Sequence, residues 1–272
     1  IRQMIEDYLS FLYVKEFGFY TDKPIERIIN DELEEFIDGG FINNAIIDFS
    51  LNSRHSLEQI VLQLAELDCI AIQLRFFYSV DIELLKKYLD FISLSSLEQI
   101  ECCVEMGKDY GVKEVTSLIK AYPKLIKIII SNAKSNIIYE VHDCMIIYTT
   151  EIIRSENKCG VTGDRYCIAE ERLFKESKQF NNCLYKKIGI DKYGFIKNCP
   201  SMKFSYGHVS EIPLKQVVEN ELFQHYGMIR KDLIETCSEC ELRYVCQDCR
   251  AYTIDPANLY SKPFKCRYNP KE

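Results

Sequence analysis

The chain has 272 residues, 47% of them hydrophobic, and a net charge of −7. That is enough apolar material to bury a core in one large domain or two. The acidic balance excludes a surface built to neutralise nucleic-acid phosphates, and no apolar run reaches the roughly 18 residues of a membrane-spanning helix. No secretory signal is visible. Residues 1–37 read as helical: Ile5, Leu9, Leu12 and Val14 lie roughly along one side, Pro24 stands near the start of a second helix, and Gly39-Gly40 is a stop signal. The chain opens on Ile1 within this pattern, which predicts an upstream segment.

Strand and helix patterns then alternate. Residues 45–50 (AIIDFS), 69–76 (CIAIQLRF), 100–104, 125–131 (LIKIIIS) and 145–150 (MIIYTT) are predicted strands. Residues 56–67, 81–92 and 113–121 are predicted helices, the first capped by Ser56 with Gln59 as a capping-box partner, the last ended by Pro123. This order predicts βαβ units and a parallel sheet or partial barrel, and the near-continuous isoleucine runs suit strands buried on both faces. Beyond Cys159 strands shorten, turns carry Gly and Asn, and cysteines dominate, which puts an expected domain boundary near residue 155. The expected division is a helical segment over 1–40, a partial barrel over 41–155 and a cysteine-rich α+β domain over 156–272.

Thirteen cysteines is an unusual number. Cys69, Cys102, Cys103 and Cys144 lie on or beside strand-like segments and read as small buried hydrophobes. The other nine run from Cys159 to Cys266: Cys159, Cys167, Cys183, Cys199, Cys237, Cys240, Cys246, Cys249 and Cys266. Clustered cysteines in a cytoplasmic protein bind metal more often than they form disulfides, and an odd total fits a complete disulfide framework poorly. The densest run is Cys237-x2-Cys240-x5-Cys246-x2-Cys249. Short turns let such pairs converge on one centre. The thiols outnumber what one tetrahedral zinc needs and suit two iron–sulfur clusters with four thiolates each; a structural zinc ribbon is the alternative. Gly194 is predicted to turn a hairpin between 187–191 and 195–198 that brings Cys183 and Cys199 towards one centre. Arg243 and Arg250 are candidate charge partners of the clusters, or else solvated or paired with acids.

The pattern Cys183…Gly194-x4-Cys199…Cys237-x2-Cys240-x5-Cys246-x2-Cys249…Cys266 resembles the SPASM domain, which carries auxiliary 4Fe–4S clusters in peptide-modifying radical SAM enzymes. The last spacing in the quartet is x2 here, where many members have x3. The sequence is most similar to the SPASM-domain peptide maturases of grasp-with-spasm systems, through Asn182-Cys183-Leu184, Ile190-Asp191-Lys192, Ile196-Lys197-Asn198-Cys199-Pro200-Ser201-Met202, the run from Cys237 to Tyr252, and Ser261-Lys262-Pro263. The resemblance covers 159–272; over 40–155 it rests on strand–helix order, as a degenerate partial (β/α) barrel of radical-SAM type. It implies two interleaved 4Fe–4S clusters: an outer one on Cys237, Cys240, Cys246 and Cys266, and an inner one on Cys183, Cys199 and Cys249 with either Cys159 or Cys167, Cys159 being favoured by the Cys159-Gly160 pair.

A radical SAM enzyme needs CxxxCxxC after its first barrel strand. Here residues 45–50 are followed by Leu51-Asn52-Ser53-Arg54-His55-Ser56, without cysteine, so no S-adenosylmethionine cluster is expected. The resemblance implies a partnership with an ATP-grasp ligase and a short ribosomally made precursor peptide. It also implies that residues 1–14 end a leader-recognition element, the alternative being a plain packing helix. Three roles follow: an adaptor that binds precursor or ligase, an enzyme using an open cluster iron or polar groups at the barrel mouth, or a structural zinc scaffold. Polar candidates near the strands are Asp48, Asn52, Arg54, His55, Arg75, Glu101, Glu105 and His142; none forms a recognisable catalytic set.

Overall fold

The structure is a computed structural model that describes residues 2–14, 40–160, 162, 167, 168 and 170–271. The chain divides into two compact units, 1–35 and 36–272. Of the first, helix α1 (Arg2–Val14) is described, and its Met4, Ile5, Tyr8 and Leu9 are exposed. The second helix expected near Pro24, and Gly39 of the stop signal, lie outside the described residues.

The second unit is built on strand–helix alternation: β1 (Asn44–Phe49), α2 (Leu57–Glu66), β2 (Ala71–Phe76), α3 (Ile82–Ser93), β3 (Gln99–Glu105), α4 (Val112–Ala121) and β4 (Leu125–Ser131). Each helix buries residues three or four apart on the sheet: Leu57, Ile60, Val61 and Leu64 on α2; Leu85, Leu89 and Ile92 on α3; Val115, Leu118 and Ile119 on α4. The ends obey local chemistry. Ser56 Oγ accepts the Gln59 amide and Asp81 Oδ1 the Leu84 amide. Tyr122 leaves the helix in an extended conformation (φ −125°, ψ 81°), because the ring of Pro123 forbids helical backbone before it.

The hairpin β5 (Ile137–Val141) and β6 (Cys144–Tyr148) follows, and beyond residue 155 come α5 (Glu171–Gln179), β7 (Lys187–Ile190), β8 (Ile196–Lys197), α6 (Leu214–Val218) and α7 (Glu221–Gly227). The eight strands make one sheet in the order β5-β6-β4-β3-β2-β1-β7-β8. It is parallel except at its two edges, where β5 pairs with β6 and β7 with β8 in antiparallel fashion. The fold is therefore α/β with a mostly parallel sheet. That sheet and its core continue across residue 155: β7 pairs with β1, and Ile188, Ile190, Ile196 and Leu214 join the cluster built on Ile47, Leu74 and Ile128.

Strand β5 is an element the sequence pattern did not announce. Its residues are mostly exposed, Ile138 at 69%, so no inside–outside alternation marks it. The strand exists because the chain reverses at His142-Asp143, both with positive φ (49° and 61°), as two-residue hairpin loops demand. This places His142 in an exposed turn. No helix among the described residues is long and apolar enough to cross a membrane.

Candidate metal centres

All thirteen cysteines are free thiols. Cys69, Cys102, Cys103 and Cys144 are buried in or beside the sheet, and burial pushes Cys69 up to about 12 and Cys103 to about 11. Such thiols are packing groups, unreactive at neutral pH.

The later cysteines fall into two places. Cys237, Cys240, Cys246 and Cys266 line one cavity together with Lys231 and Arg243. Tight turns present each of them. The Cys240 amide bonds the Cys237 carbonyl at 3.0 Å, the Cys246 amide the Leu242 carbonyl at 3.0 Å, and the Cys266 amide the Pro263 carbonyl at 3.1 Å. Thr236, just before Cys237, is held at φ 67°, a conformation unfavourable for a β-branched residue. Burial raises the Cys237 thiol to about 11, with Lys231 pulling the other way.

The second place holds Cys183, Cys199, Cys249 and Cys159. Burial raises Cys199 to about 12, and the charges of Cys183 and Cys159 add to that; Cys249 is raised to about 11 by burial and then by Cys183. Cys183 follows Asn181, whose side-chain oxygen accepts the Cys183 and Leu184 amides at 3.0 Å. Cys199 follows β8. The β7–β8 turn is closed by Asp191, which accepts the Tyr193 and Phe195 amides, and by Gly194 at φ 88°, where a Cβ would stand 2.3 Å from His208 Nε2. Gly160, at φ 84°, lets the backbone beside Cys159 approach Cys249: a Cβ there would lie 2.8 Å from its Sγ.

Cys167 belongs to the first place. It forms an isolated antiparallel bridge with Cys246, and the adjacent Ile168 amide bonds the Val245 carbonyl at 2.8 Å. Of the two residues the sequence left open, Cys159 is thus the one beside Cys183 and Cys199. Among the described residues, no three His, Cys, Asp or Glu side chains converge as they would around a single metal ion.

Buried polar groups tie the two places together. Asn182 donates to the Cys246 carbonyl (3.0 Å) and accepts the Asp248 amide (3.0 Å), while Asn181 donates to Asp248 Oδ2 (2.6 Å). Arg250 is neither solvated nor beside a surface acid. It is buried, pairs with Asp248 (2.8 Å from Nη2 to Oδ1), and donates to the Leu259 and Ser261 carbonyls. Arg243 is partly exposed, pairs with Asp232 at 3.1 Å and lies over the Tyr244 ring.

The polar candidates of the sheet are held by separate partners. The parallel register sets Asp48 of β1 beside Arg75 of β2, and the two form a buried bidentate pair at 2.6 and 2.8 Å. Burial pushes Asp48 up to about 6 against the pull of Arg75, and Arg75 also feels Cys199 and Cys159. The second cysteine group therefore adjoins the carboxyl ends of β1 and β2, where open α/β sheets place their sites. Glu105 binds Asn132 and Arg154, Glu101 binds Gln73 and Lys127, and Asn52 and Arg54 are exposed in the loop after β1.

His55 stacks on Phe49 with ring centroids 4.8 Å apart, and both its ring nitrogens are buried without a hydrogen-bond partner. Burial pulls it down to about 4, helped by His208 and opposed by Asp191 and by the nearby Asp48 backbone. Its folded value lies below the ordinary 6.5, so the unfolded chain protonates first and stability is lost as pH falls from 6.5 towards about 4. Asp48 acts with the opposite sign, because its folded value is raised and its contribution is lost as pH rises through that value. His55→Phe isolates the histidine part: its urea midpoint should fall less than that of the parent chain across this interval. Parallel pH profiles for the two would refute the assignment.

Two residues beside the cysteines had no sequence signal. Lys187 follows Lys186 and Lys231 follows Arg230, contexts that mark neither, yet one stands in each thiol group. Compared with protein-family models, with curated proteins and with solved structures, the chain matches none.

Proposed function

We propose that residues 156–272 are a SPASM-type domain holding two 4Fe–4S clusters, one on Cys237, Cys240, Cys246 and Cys266 and one on Cys159, Cys183, Cys199 and Cys249. In this reading the sheet is a degenerate radical-SAM-like partial barrel without an S-adenosylmethionine cluster. The protein works in the cytoplasm with an ATP-grasp ligase, binding the precursor peptide that the ligase modifies. The observation that carries the reading is the division of the nine later thiols between two places, Cys237, Cys240, Cys246 and Cys266 with Cys167 beside Cys246, and Cys159, Cys183, Cys199 and Cys249, each place presented by turns and each beside a lysine. The donor chemistry fits: four cysteines are what one cubane takes. When bound, the clusters supply redox-active anionic centres and staple the loops that hold them.

The chain's own residues do the positioning. Asn181 and Asn182 lock the Cys183 turn to the Cys246–Asp248 segment, so the two sets are mechanically linked. Gly160 admits the Cys159 backbone against Cys249. Asp48 and Arg75 fill the carboxyl ends of β1 and β2 with a neutralised pair, and no cysteine stands between Phe49 and Cys69. This favours a binding role over chemistry at the sheet.

The test is metal and sulfide analysis of anaerobically purified protein, followed by titration with the cognate precursor. About eight irons with equal sulfide per chain are expected. About two zincs without sulfide would replace the clusters by a structural scaffold. Saturable precursor binding without turnover is expected, and multiple turnover by the protein alone would overturn the adaptor role.

A further inference from the structure

Lys187 extends from β7 so that its ammonium stands 3.7 Å from Cys183 Sγ, within the field of Cys199 and Cys159 as well. Lys231 is 5% exposed and lines the cavity of Cys237, Cys240, Cys246 and Cys266. Neither forms an ion pair with a carboxylate among the described residues. The one acid near Lys231, Asp248, is already matched by Arg250, 2.8 Å from Nη2 to Oδ1 and buried with it. A buried ammonium without an anion is costly, because it gives up its hydration with no opposite charge to replace it. Its compensation here has to come from the sulfur side.

Four neutral thiols do not compensate a cation; a four-thiolate metal centre, which carries net negative charge, does. The two lysines lie far apart in sequence and on different elements, one on a strand and one in a short 3-10 turn. Their distribution, one to each thiol set, therefore does not follow from a shared local motif.

We propose that Lys187 and Lys231 are the resident counter-cations of the two cysteine-held centres, each setting the reduction potential of the centre it faces. The proposal rests on the two-cluster reading. Neither lysine is a ligand; each is a positioning residue acting through charge. One-electron reduction adds negative charge to a centre already anionic, and a cation a few ångströms away favours the reduced form. Removing it makes the potential more negative. The two effects are separable, because each lysine faces one set.

The experiment uses the full chain, reconstituted anaerobically, as parent, Lys231→Met, Lys187→Met, and Lys231→Arg. Iron and sulfide are counted, and midpoint potentials are read by EPR during titration with dithionite. The expected result is parental iron content, one potential shifted negative in Lys231→Met, the other in Lys187→Met, and parental values in Lys231→Arg. If Lys231→Met loses iron, recovery of both iron and potential by Lys231→Arg supports the same role, whereas a folded Lys231→Arg chain that also lacks iron refutes it. Parental iron with both potentials unmoved overturns the proposal and leaves the two clusters standing. A parent chain holding zinc without sulfide overturns the cluster reading and the tuning role together.

Discussion

Replacing Cys240 by alanine is expected to halve the iron of the reconstituted protein, from about eight to about four per chain. Cys240 lines the first cavity with Cys237, Cys246 and Cys266, and lies outside the set of Cys159, Cys183, Cys199 and Cys249. Losing one thiolate of four leaves that centre incomplete while the second keeps its full donor set. The C-terminal loops should loosen at the same time. They contain little regular structure, and in small metallo-domains metal binding supplies on the order of 10 kcal/mol of folding energy. Proteolysis under native conditions should therefore cut first between residues 228 and 271. Cys102→Ala is the control. Cys102 is buried in β3, and removing it should cost core packing without changing iron content. Unchanged iron in Cys240→Ala, or lost iron in Cys102→Ala, would refute the assignment of donors.

The second large effect concerns the ion pair beneath the second cysteine group. Arg75→Met should destabilise the protein by about 3–5 kcal/mol, because it leaves the carboxyl of Asp48, 1% exposed, without its partner inside the sheet, where it must take up a proton or stay as an uncompensated charge. The pair itself need not be stabilising relative to apolar side chains of like volume. The double variant Asp48→Leu with Arg75→Met should recover most of the loss, since it removes both charges and their desolvation. Urea denaturation of the three proteins followed by circular dichroism gives the cycle. A cost below about 1 kcal/mol for Arg75→Met would mean that solvent reaches Asp48 and that the pair is not buried in solution.

Much of the sheet was legible because its signals are local. Ser56 and Asp81 announce helix starts through their own side chains, and Pro123 stops a helix by its ring. The apolar runs of β1, β2 and β4 follow from burial on both faces of a parallel sheet. Strand β5 was not legible, since an exposed edge strand needs no hydrophobic alternation and is made by the hairpin that returns to β6. His142 and Arg250 show the same limit from the polar side. Side-chain type alone offered His142 as a polar candidate and Arg250 as a charge partner of the clusters, but the turn holds one and a buried pair with Asp248 the other.

The sequence by itself determined the donor inventory: thirteen thiols, nine of them crowded from Cys159 onward, in paired spacings that short turns can present. It also determined helices α2, α3 and α4 and most strands, through spacings that span a few residues, but not the short helices α5, α6 and α7. Only the tertiary structure decided how the thiols are shared out. Cys246 and Cys249 are near neighbours in the chain, yet one faces Cys167 and Cys240 and the other faces Cys183. It also put Cys159 rather than Cys167 beside Cys199, and gave each set its lysine. These are contacts between segments far apart in sequence. They arise when β7 docks on β1 and the asparagines before Cys183 grip the Cys246–Asp248 segment, and no local propensity encodes them.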